Sequence, residues 1–415
     1  MNAIYQSMLG IIIFLSIAWA ISEDRKNVNL TFVIKGVFIQ IVIALLLLKL
    51  PFLKVIFLSL NKLVVALEES TVAGTSVVFG YLGGADLPFV EKYPGASFIL
   101  AFRALPLLIV ISALSSLLFY WKILPGIVNL FSLIFQKFMN VGGAEGVGLS
   151  ANIFVGMIEA PVLIRPYLNK MTRSEIFSLM TCGMATIAGT VMVLYASILS
   201  SILSDALGHL LIASIISAPA AITIAKIMIP ETKTVTLGDI SISSDTLSPM
   251  DAITNGTLQG VQLFLNIVAM LISLVAIVHL INIFMGILPH IGGEPMTLQR
   301  FFGYIMSPIV WLMGIPWQEA PVAGALMGSK TILNEFIAYM DLSQLPENTL
   351  QPKSIIIMSY ALCGFANPGS LGIMIGGLGT MASERKNEIV TMGLRSIIAG
   401  TLATCMTGAV VGMII

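Results

Sequence analysis

Five stretches of this chain, residues 4–21, 32–48, 98–120, 261–283 and 389–415, are almost unbroken apolar sequence. Each is close to the roughly 20 residues that a helix needs to cross about 30 Å of hydrocarbon. A soluble core cannot hide that much apolar surface. Of the 415 residues 57% are hydrophobic and only 10% charged, where soluble domains carry roughly 25% charged residues. The expectation is an all-α polytopic membrane protein with lipid as its surroundings. The first run has no Lys or Arg ahead of it and leads straight into "SEDRKN", so it reads as a retained helix and not as a cleaved signal.

Several function classes fall away on the same evidence. Cys182, Cys363 and Cys405 are scattered in apolar context, and His209, His279 and His290 are equally dispersed. Neither set has the spacing of a metal or disulfide site. A formal net charge of zero offers no footprint for nucleic acid. There is no Gly-rich phosphate loop and no Ser/His/Asp grouping, so an enzyme is not expected and no cofactor is called for. A small solute is the expected partner.

The order of segments is informative. Up to about Tyr120 the spans are continuous, joined by "LNKLVVALEES", whose Lys62, Glu68 and Glu69 suit a helix at the interface. Beyond Gly142 the apolar pattern is repeatedly interrupted by "GMIEAP", "GMATIAGT", "GIPWQEAP" and "GFANPGSLG". Plain apolar segments at 210–229, 261–283 and the C-terminus punctuate them, with the polar linker "PETKTVTLGDISISSDTLSP" between the halves. The expected division is a scaffold region 1–141, a first repeat 142–229, a linker with a scaffold helix 230–298, and a second repeat 299–415. Each repeat runs hairpin, broken helix, plain helix.

Paired interruptions of this kind point to a secondary transporter whose site lies between inverted repeats. Irregular backbone at membrane depth is tolerated only when buried in protein or lining a wet cavity. The tetrapeptide Glu-Ala-Pro-Val occurs twice, at Glu159 and at Glu319, and both copies are expected at the turns of re-entrant hairpins. Lys and Arg collect in loops holding Arg25/Lys26, Arg165/Lys170/Arg173, Lys226/Lys233 and Arg385/Lys386. If these face the cytoplasm, both termini lie outside and the two hairpins enter from opposite sides.

Ionisable groups inside membrane segments are functional candidates by default, which singles out Glu159 and Glu335. Each has a structural alternative, Glu159 capping amides of its own turn and Glu335 pairing with Lys330. Glu319, beside Trp317 and Gln318, suits a hairpin tip near the interface and a structural role. Asn367 and Ser370 offer a carboxamide and a hydroxyl where Pro368 and Gly369 stop a helix, for a solute or for the kink itself. Phe365 is either a stacking surface or packing. Asn152 and Thr186, with backbone carbonyls of Val155 and Ile187, supply the several oxygens a sodium ion requires. Taken alone, Asn152 also reads as a helix N-cap.

These segments, "ANIFVGMIEAP…RPY", "TIAG", "GIPWQEA…GSKT…NEFIAY" and "ALCGFAN…S…GI" together with "AFRALP", resemble the concentrative nucleoside transporter family over nearly the whole chain. The resemblance implies eight transmembrane helices plus two re-entrant hairpins, a homotrimer, and a scaffold against which a transport domain moves as an elevator. It implies a Na+-coupled nucleoside symporter of a bacterial inner membrane, with proton coupling or a different nucleoside-like solute as the alternatives. Carried over by motif, Met157, Ile158 and Glu159 face the nucleobase, and Glu335, Asn367 and Ser370 hold the ribose. Val191 and Phe365 line the pocket, and Asn152, Val155, Thr186 and Ile187 bind sodium. One departure stands out. The family reads Gly-Gln-Thr-Glu or Gly-Gln-Ser-Glu at the first hairpin, where this chain has Met157 and Ile158. Losing a partner for a buried polar group costs roughly 1–3 kcal/mol, so base reading should be relaxed while the grip on ribose is kept. Nucleosides are therefore expected to be taken up in preference to free nucleobases; equal uptake of uridine and uracil in a competition assay would rule this out.

Overall fold

The computed structural model describes residues 3–92, 96–157, 159–236, 246–287, 290, 293 and 295–415, with backbone alone for 51–58, 60 and 61. Ile158 and the linker residues 237–245 lie outside the described residues. Every regular element described is helical. The N-terminal part comprises α1 (Ala3–Ala20), α2 (Leu30–Lys49), α3 (Pro51–Phe79), the short α4 (Leu100–Arg103) and α5 (Leu107–Tyr120). There follow α6 (Ile123–Met139), α7 (Gly143–Phe154), α8 (Glu159–Leu163), α9 (Arg173–Ala185), α10 (Gly189–Leu199) and α11 (Ala206–Met228). A 37-residue helix, α12 (Pro249–Met285), comes next. The chain closes with α13 (Leu298–Leu312), α14 (Ala320–Ile332), α15 (Glu335–Ser343), α16 (Pro352–Leu362), α17 (Pro368–Met381) and α18 (Lys386–Ile414). Among the described residues, eight segments are long and apolar enough to cross a membrane, including Lys62–Gly83, where an interfacial helix was expected.

Local chemistry sets the boundaries. Proline opens α3, α12, α16 and α17 at the first positions, where its missing N–H costs nothing. Asn29, Ser248, Thr297, Asn334 and Asn367 cap their helices with side-chain oxygens, and Thr172 with Glu175 forms a full capping box at α9. Burial then sorts the helices. In α11, 89% of the most apolar window is buried, against 6% in α12. Thus α9, α11 and α18 form the centre and α12 the periphery.

The second half repeats the first element by element, since α6–α11 and α13–α18 both read helix, two hairpin arms, two halves of a broken helix, and a long closing helix. The breaks fall at Thr186–Ala188, within the interrupted segment read there, and at Cys363–Asn367, which starts one residue ahead of "GFANPGSLG". The second Glu-Ala-Pro-Val is the exception to those expectations. Its Glu319 stands at the N-terminus of α14, and the turn of that hairpin is Leu333–Asn334. The tetrapeptide marks a hairpin turn at Glu159 but a hairpin base at Glu319, because Pro two residues after the Glu suits the first turn of any helix.

Helix α1, about 27 Å long at 1.5 Å per residue, shows that the halves are inverted. Near its N-terminus Gln6 donates to the carbonyls of Trp311 and Ile315, at the base of the second hairpin. Just beyond its C-terminus Glu23 meets Arg173, at the base of the first, and its N–H donates to the Met228 carbonyl. The two hairpins therefore enter from opposite ends. The basic loops gather at the Glu23 end, where Arg395 also reaches Glu23 and Arg385 donates to the Leu168 carbonyl. Both α1 and α2 pack on α18 and α11, whereas α12 packs on α5. That last crossing is close. A Cβ at Gly256 would sit 2.6 Å from the Ser112 carbonyl oxygen, and one at Gly260 equally near Ile109 Cα, a small-residue pair one turn apart of the kind that lets membrane helices touch backbones. The N-terminal region 1–141 thus has two sets of partners.

Glu23 Oε1 lies 2.9 Å from Arg173 Nη2 and 2.7 Å from Arg395 Nη1. Hydrogen bonding from Arg173, helped by the Arg173 and Arg395 charges, holds its carboxyl below the ordinary 4.5. A depressed carboxyl pKa contributes stability that is present above the unfolded value and lost as pH falls through the folded one. Glu23→Gln is expected to cost about 1 kcal/mol or less at neutral pH, as partly exposed pairs do. The gap in unfolding midpoint between variant and wild type should close as pH is lowered past 4.5; a gap that does not change with pH would contradict this.

Candidate functional site

Both hairpin turns and both helix breaks converge on one cleft holding roughly 900 Å³ of empty space, its open mouth included. Gly156, Met157 and Glu159 come from the first turn, Ala188, Thr190, Val191 and Tyr195 from the first break and α10. Leu333, Asn334, Glu335 and Phe336 come from the second turn, and Phe365, Asn367, Gly369, Ser370 and Ile373 from the second break and α17. The peripheral α12 closes the side with Leu263, Asn266, Ile267, Met270 and Leu274.

The wall built by the second half is polar and organised. Glu335 heads α15 and is buried. Its Oε1 accepts a 2.6 Å hydrogen bond from the Tyr195 hydroxyl and its Oε2 a 2.9 Å bond from Asn367 Nδ2. Asn367 Oδ1 in turn accepts from the Ser370 N–H at 2.8 Å, capping α17. The Asn367 side chain therefore serves the kink and the carboxylate together. A carboxylate has about four lone-pair sites, which leaves capacity for a hydroxyl donor entering the cleft. Lys330 does not pair with Glu335. Its Nζ donates to the Ala361 carbonyl at 2.8 Å and to Thr404 Oγ1 at 3.0 Å.

The first half offers a different wall. Glu159 heads α8 as Glu335 heads α15, yet it is exposed to the cleft. Its Oε2 lies 2.7 Å from where a Cβ on Gly156 would stand, and Gly156 has φ of +131°, so a side chain there would meet both the carboxylate and a strained backbone. At the positions matching Asn367 and Ser370, this half carries Ala188 and Val191, the N-cap of α10 and its third residue. Met157 lines the same side. One face of the cleft presents donors and acceptors, the other mostly carbon with the Glu159 carboxylate and the Thr190 and Tyr195 hydroxyls.

Behind the first wall, α7 stops at Val155 and α9 at Thr186. Asn152 is no N-cap, since α7 begins at Gly143 after Gly142 and Asn152 lies in its last turn. Its Nδ2 donates to the Leu179 carbonyl at 3.3 Å, and the Thr186 hydroxyl lies 3.3 Å from the Asn152 carbonyl and 2.8 Å from that of Cys182. Asn152 Oδ1 is buried with no donor among the described residues. A buried carbonyl oxygen without a donor is costly, and it sits beside two helix C-termini, which carry partial negative charge. The donor set is all oxygen and suits a hard monovalent cation. Ile187 follows Thr186 in the break, its N–H 3.4 Å from Ser214 Oγ of α11.

The structure thus gathers Met157, Glu159, Val191, Glu335, Phe365, Asn367 and Ser370 around one cleft and Asn152, Val155, Thr186 and Ile187 behind it. Glu319 is elsewhere, with Oε2 accepting from the Gln351 N–H at 3.2 Å. Sequence reasoning missed Tyr195, Asn334 and the α12 wall. Tyr195 stands one helical turn after Val191, a spacing that puts both on one face, and Asn334 is the Asn immediately before a helix start. Nothing local marks Asn266.

Comparison with known proteins bears directly on this arrangement. Residues 209–412 match the family model "Na+ dependent nucleoside transporter C-terminus", residues 9–82 its N-terminal counterpart, and residues 101–202 the "Nucleoside recognition" model. The nucleoside permease NupC of Helicobacter pylori is 34% identical over 99% of this chain and 97% of its own length. Solute carrier family 28 member 3 of Homo sapiens is 34% identical over 98% of this chain, which spans 59% of that longer protein. The structure of CNTnw in an inward-facing substrate-bound state superposes with a TM-score of 0.90 at 31% identity, covering 99% of this chain and 98% of that one. A doubly substituted CNTnw in an outward-facing state gives the same TM-score of 0.90 at 31% identity, over 100% of this chain and 98% of that one.

The Glu335 network makes a graded expectation. Tyr195→Phe removes one donor to the carboxylate and should weaken uridine binding roughly 10- to 100-fold, in line with 1.5–3 kcal/mol for a hydrogen bond to a charged group. Glu335→Gln and Asn367→Ala should abolish uptake while the purified proteins remain folded. Titration calorimetry and liposome uptake provide the check, and normal transport by both of the latter variants would remove these residues from the solute site.

Proposed function

Because the chain belongs to the Na+-dependent nucleoside transporter family, whose coupling ion is Na+, we propose that it is a secondary active symporter importing nucleosides by alternating access. The observation that carries this reading is the two-faced cleft. Glu335, Asn367 and Ser370 present acceptors and donors to ribose hydroxyls, while Met157, Glu159, Val191 and Phe365 meet the base. With Met157 in place of a polar side chain, the base is read mainly through apolar contact. Ile158 is assigned to the same face on the family resemblance alone.

Na+ takes the Asn152 side-chain oxygen, the Thr186 hydroxyl and the carbonyls of Val155 and Ile187. The buried, donorless Asn152 Oδ1 supports this assignment. Solute and ion are then coupled through shared backbone, since Asn152 and Val155 precede the turn bearing Met157 and Glu159, and Thr186 and Ile187 precede Val191. Ordering the first turn around the ion arranges the face that meets the base.

The moving body we propose contains both repeats with α1 and α2, which pack on α11 and α18, and the fixed frame contains α3, α5 and α12. CNTnw has been seen in inward-facing, outward-facing and intermediate states, which fits an elevator motion of this kind. A homotrimer in a bacterial inner membrane completes the reading, with the sparsely buried α12 at the frame.

Proteoliposomes given radiolabelled uridine or adenosine test it. Accumulation is expected with Na+ outside at neutral pH, none with choline under an imposed proton gradient, and loss of Na+ dependence in Asn152→Leu. Proton-driven accumulation indifferent to Na+ would assign coupling to the carboxylates, and accumulation of neither nucleoside under either drive would overturn the reading.

A further inference from the structure

In each half, the first hairpin arm and the first half of the broken helix end near one another. In the first half α7 stops at Val155 and α9 at Thr186; in the second α14 stops at Leu333 and α16 at Cys363. Helix C-termini leave carbonyls without an intrahelical donor and carry partial negative charge. Two of them meeting away from water call for a cation in both halves.

The side chain at the matching position differs. Asn152 stands three residues before the cap of α7, and Lys330 stands three residues before the cap of α14. Lys330 is fully buried, and its Nζ donates to the carbonyl of Ala361, in the last turn of α16, and to the hydroxyl of Thr404 on α18. Where the first half has an amide oxygen with no donor among the described residues, the second has an ammonium bonded to the end of the broken helix. No carboxylate lies within ion-pair distance of it among the described residues. A buried lysine bound to carbonyl and hydroxyl oxygen occupies the coordination role of a small cation.

We propose that the Lys330 ammonium is the tethered counterpart, in the second repeat, of the Na+ bound by the first, so that each protomer couples nucleoside to a single Na+. This rests on the Na+ symport reading and on Asn152 and Thr186 as its ion site. The fixed charge holds the second turn, with Asn334 and Glu335, ordered whether or not Na+ is present. Only the first turn then changes with the ion, and only one ion is consumed per solute. Replacing the ammonium by an amide gives the second half the amide oxygen of the first, with the Thr404 hydroxyl beside it and Cys363 standing where the first half has Thr186, and opens a second Na+ site.

The wild-type arm measures the Na+-to-uridine ratio in proteoliposomes from the reversal potential, with the Hill coefficient for Na+ activation. One Na+ per uridine and a Hill coefficient of one are expected. Lys330→Asn should need higher Na+ and show a Hill coefficient rising towards two, with a matching rise in the ratio. Lys330→Met, which keeps the stem without charge or oxygen, should lose at least roughly tenfold in uptake that added Na+ does not restore. A wild-type ratio of two would overturn the inference even if neither variant folds, and so would wild-type rate and Na+ dependence in either variant. Absence of Na+-driven uridine uptake by the wild type would instead overturn the symport reading, and this inference with it.

Discussion

Everything distinctive in this protein follows from helices that stop inside an apolar protein body. A helix end exposes up to four carbonyls or four amides without partners, and lipid offers none. Four C-termini of this kind, at Val155, Thr186, Leu333 and Cys363, are gathered at two places, where Asn152 and Lys330 face them. The N-termini that follow are capped by Asn334 and Asn367 in the second half. The groups that make the breaks tolerable are therefore the same groups that make a site.

The two halves share a backbone pattern and have diverged in chemistry. At one set of matching positions the first half carries Asn152, Ala188 and Val191, and the second carries Lys330, Asn367 and Ser370. The first is left with an oxygen that has no donor among the described residues and a largely apolar wall, the second with a resident charge and a polar one. Tyr195 crosses between them, donating from the first half to Glu335 of the second. That bond ties the largely apolar wall to the polar one, so the two faces of the cleft are held together across the repeats.

Around this centre the helices are sorted by what they must cover. Helices α9, α11 and α18 are enclosed on most sides, whereas α12 presents its apolar faces outward and approaches α5 through Gly256 and Gly260. It still contributes Leu263, Asn266 and Met270 to the cleft. A helix that lines the cleft while packing chiefly on α5 rather than on the hairpins is well placed to stay still as the rest moves.

Helices and their interruptions were legible in the sequence because their causes are local. A run of apolar residues spans by its own length, and clusters of Gly, Pro and polar residues interrupt a helix locally, so the spans, the breaks at Thr186 and Asn367, and the candidates Glu159, Glu335 and Asn152 could all be read in one dimension. The repeated Glu-Ala-Pro-Val misled for the same reason. Four residues prescribe a helix start at both Glu159 and Glu319, but not whether that start lies at a hairpin's turn or its base. Tertiary structure decided this, along with the bond from Tyr195 to a carboxylate 140 positions away and the bonds of Lys330 to Ala361 and Thr404. Such partners depend on the packing of whole helices, which sums many weak contacts over the entire chain and leaves no mark in any short stretch of it.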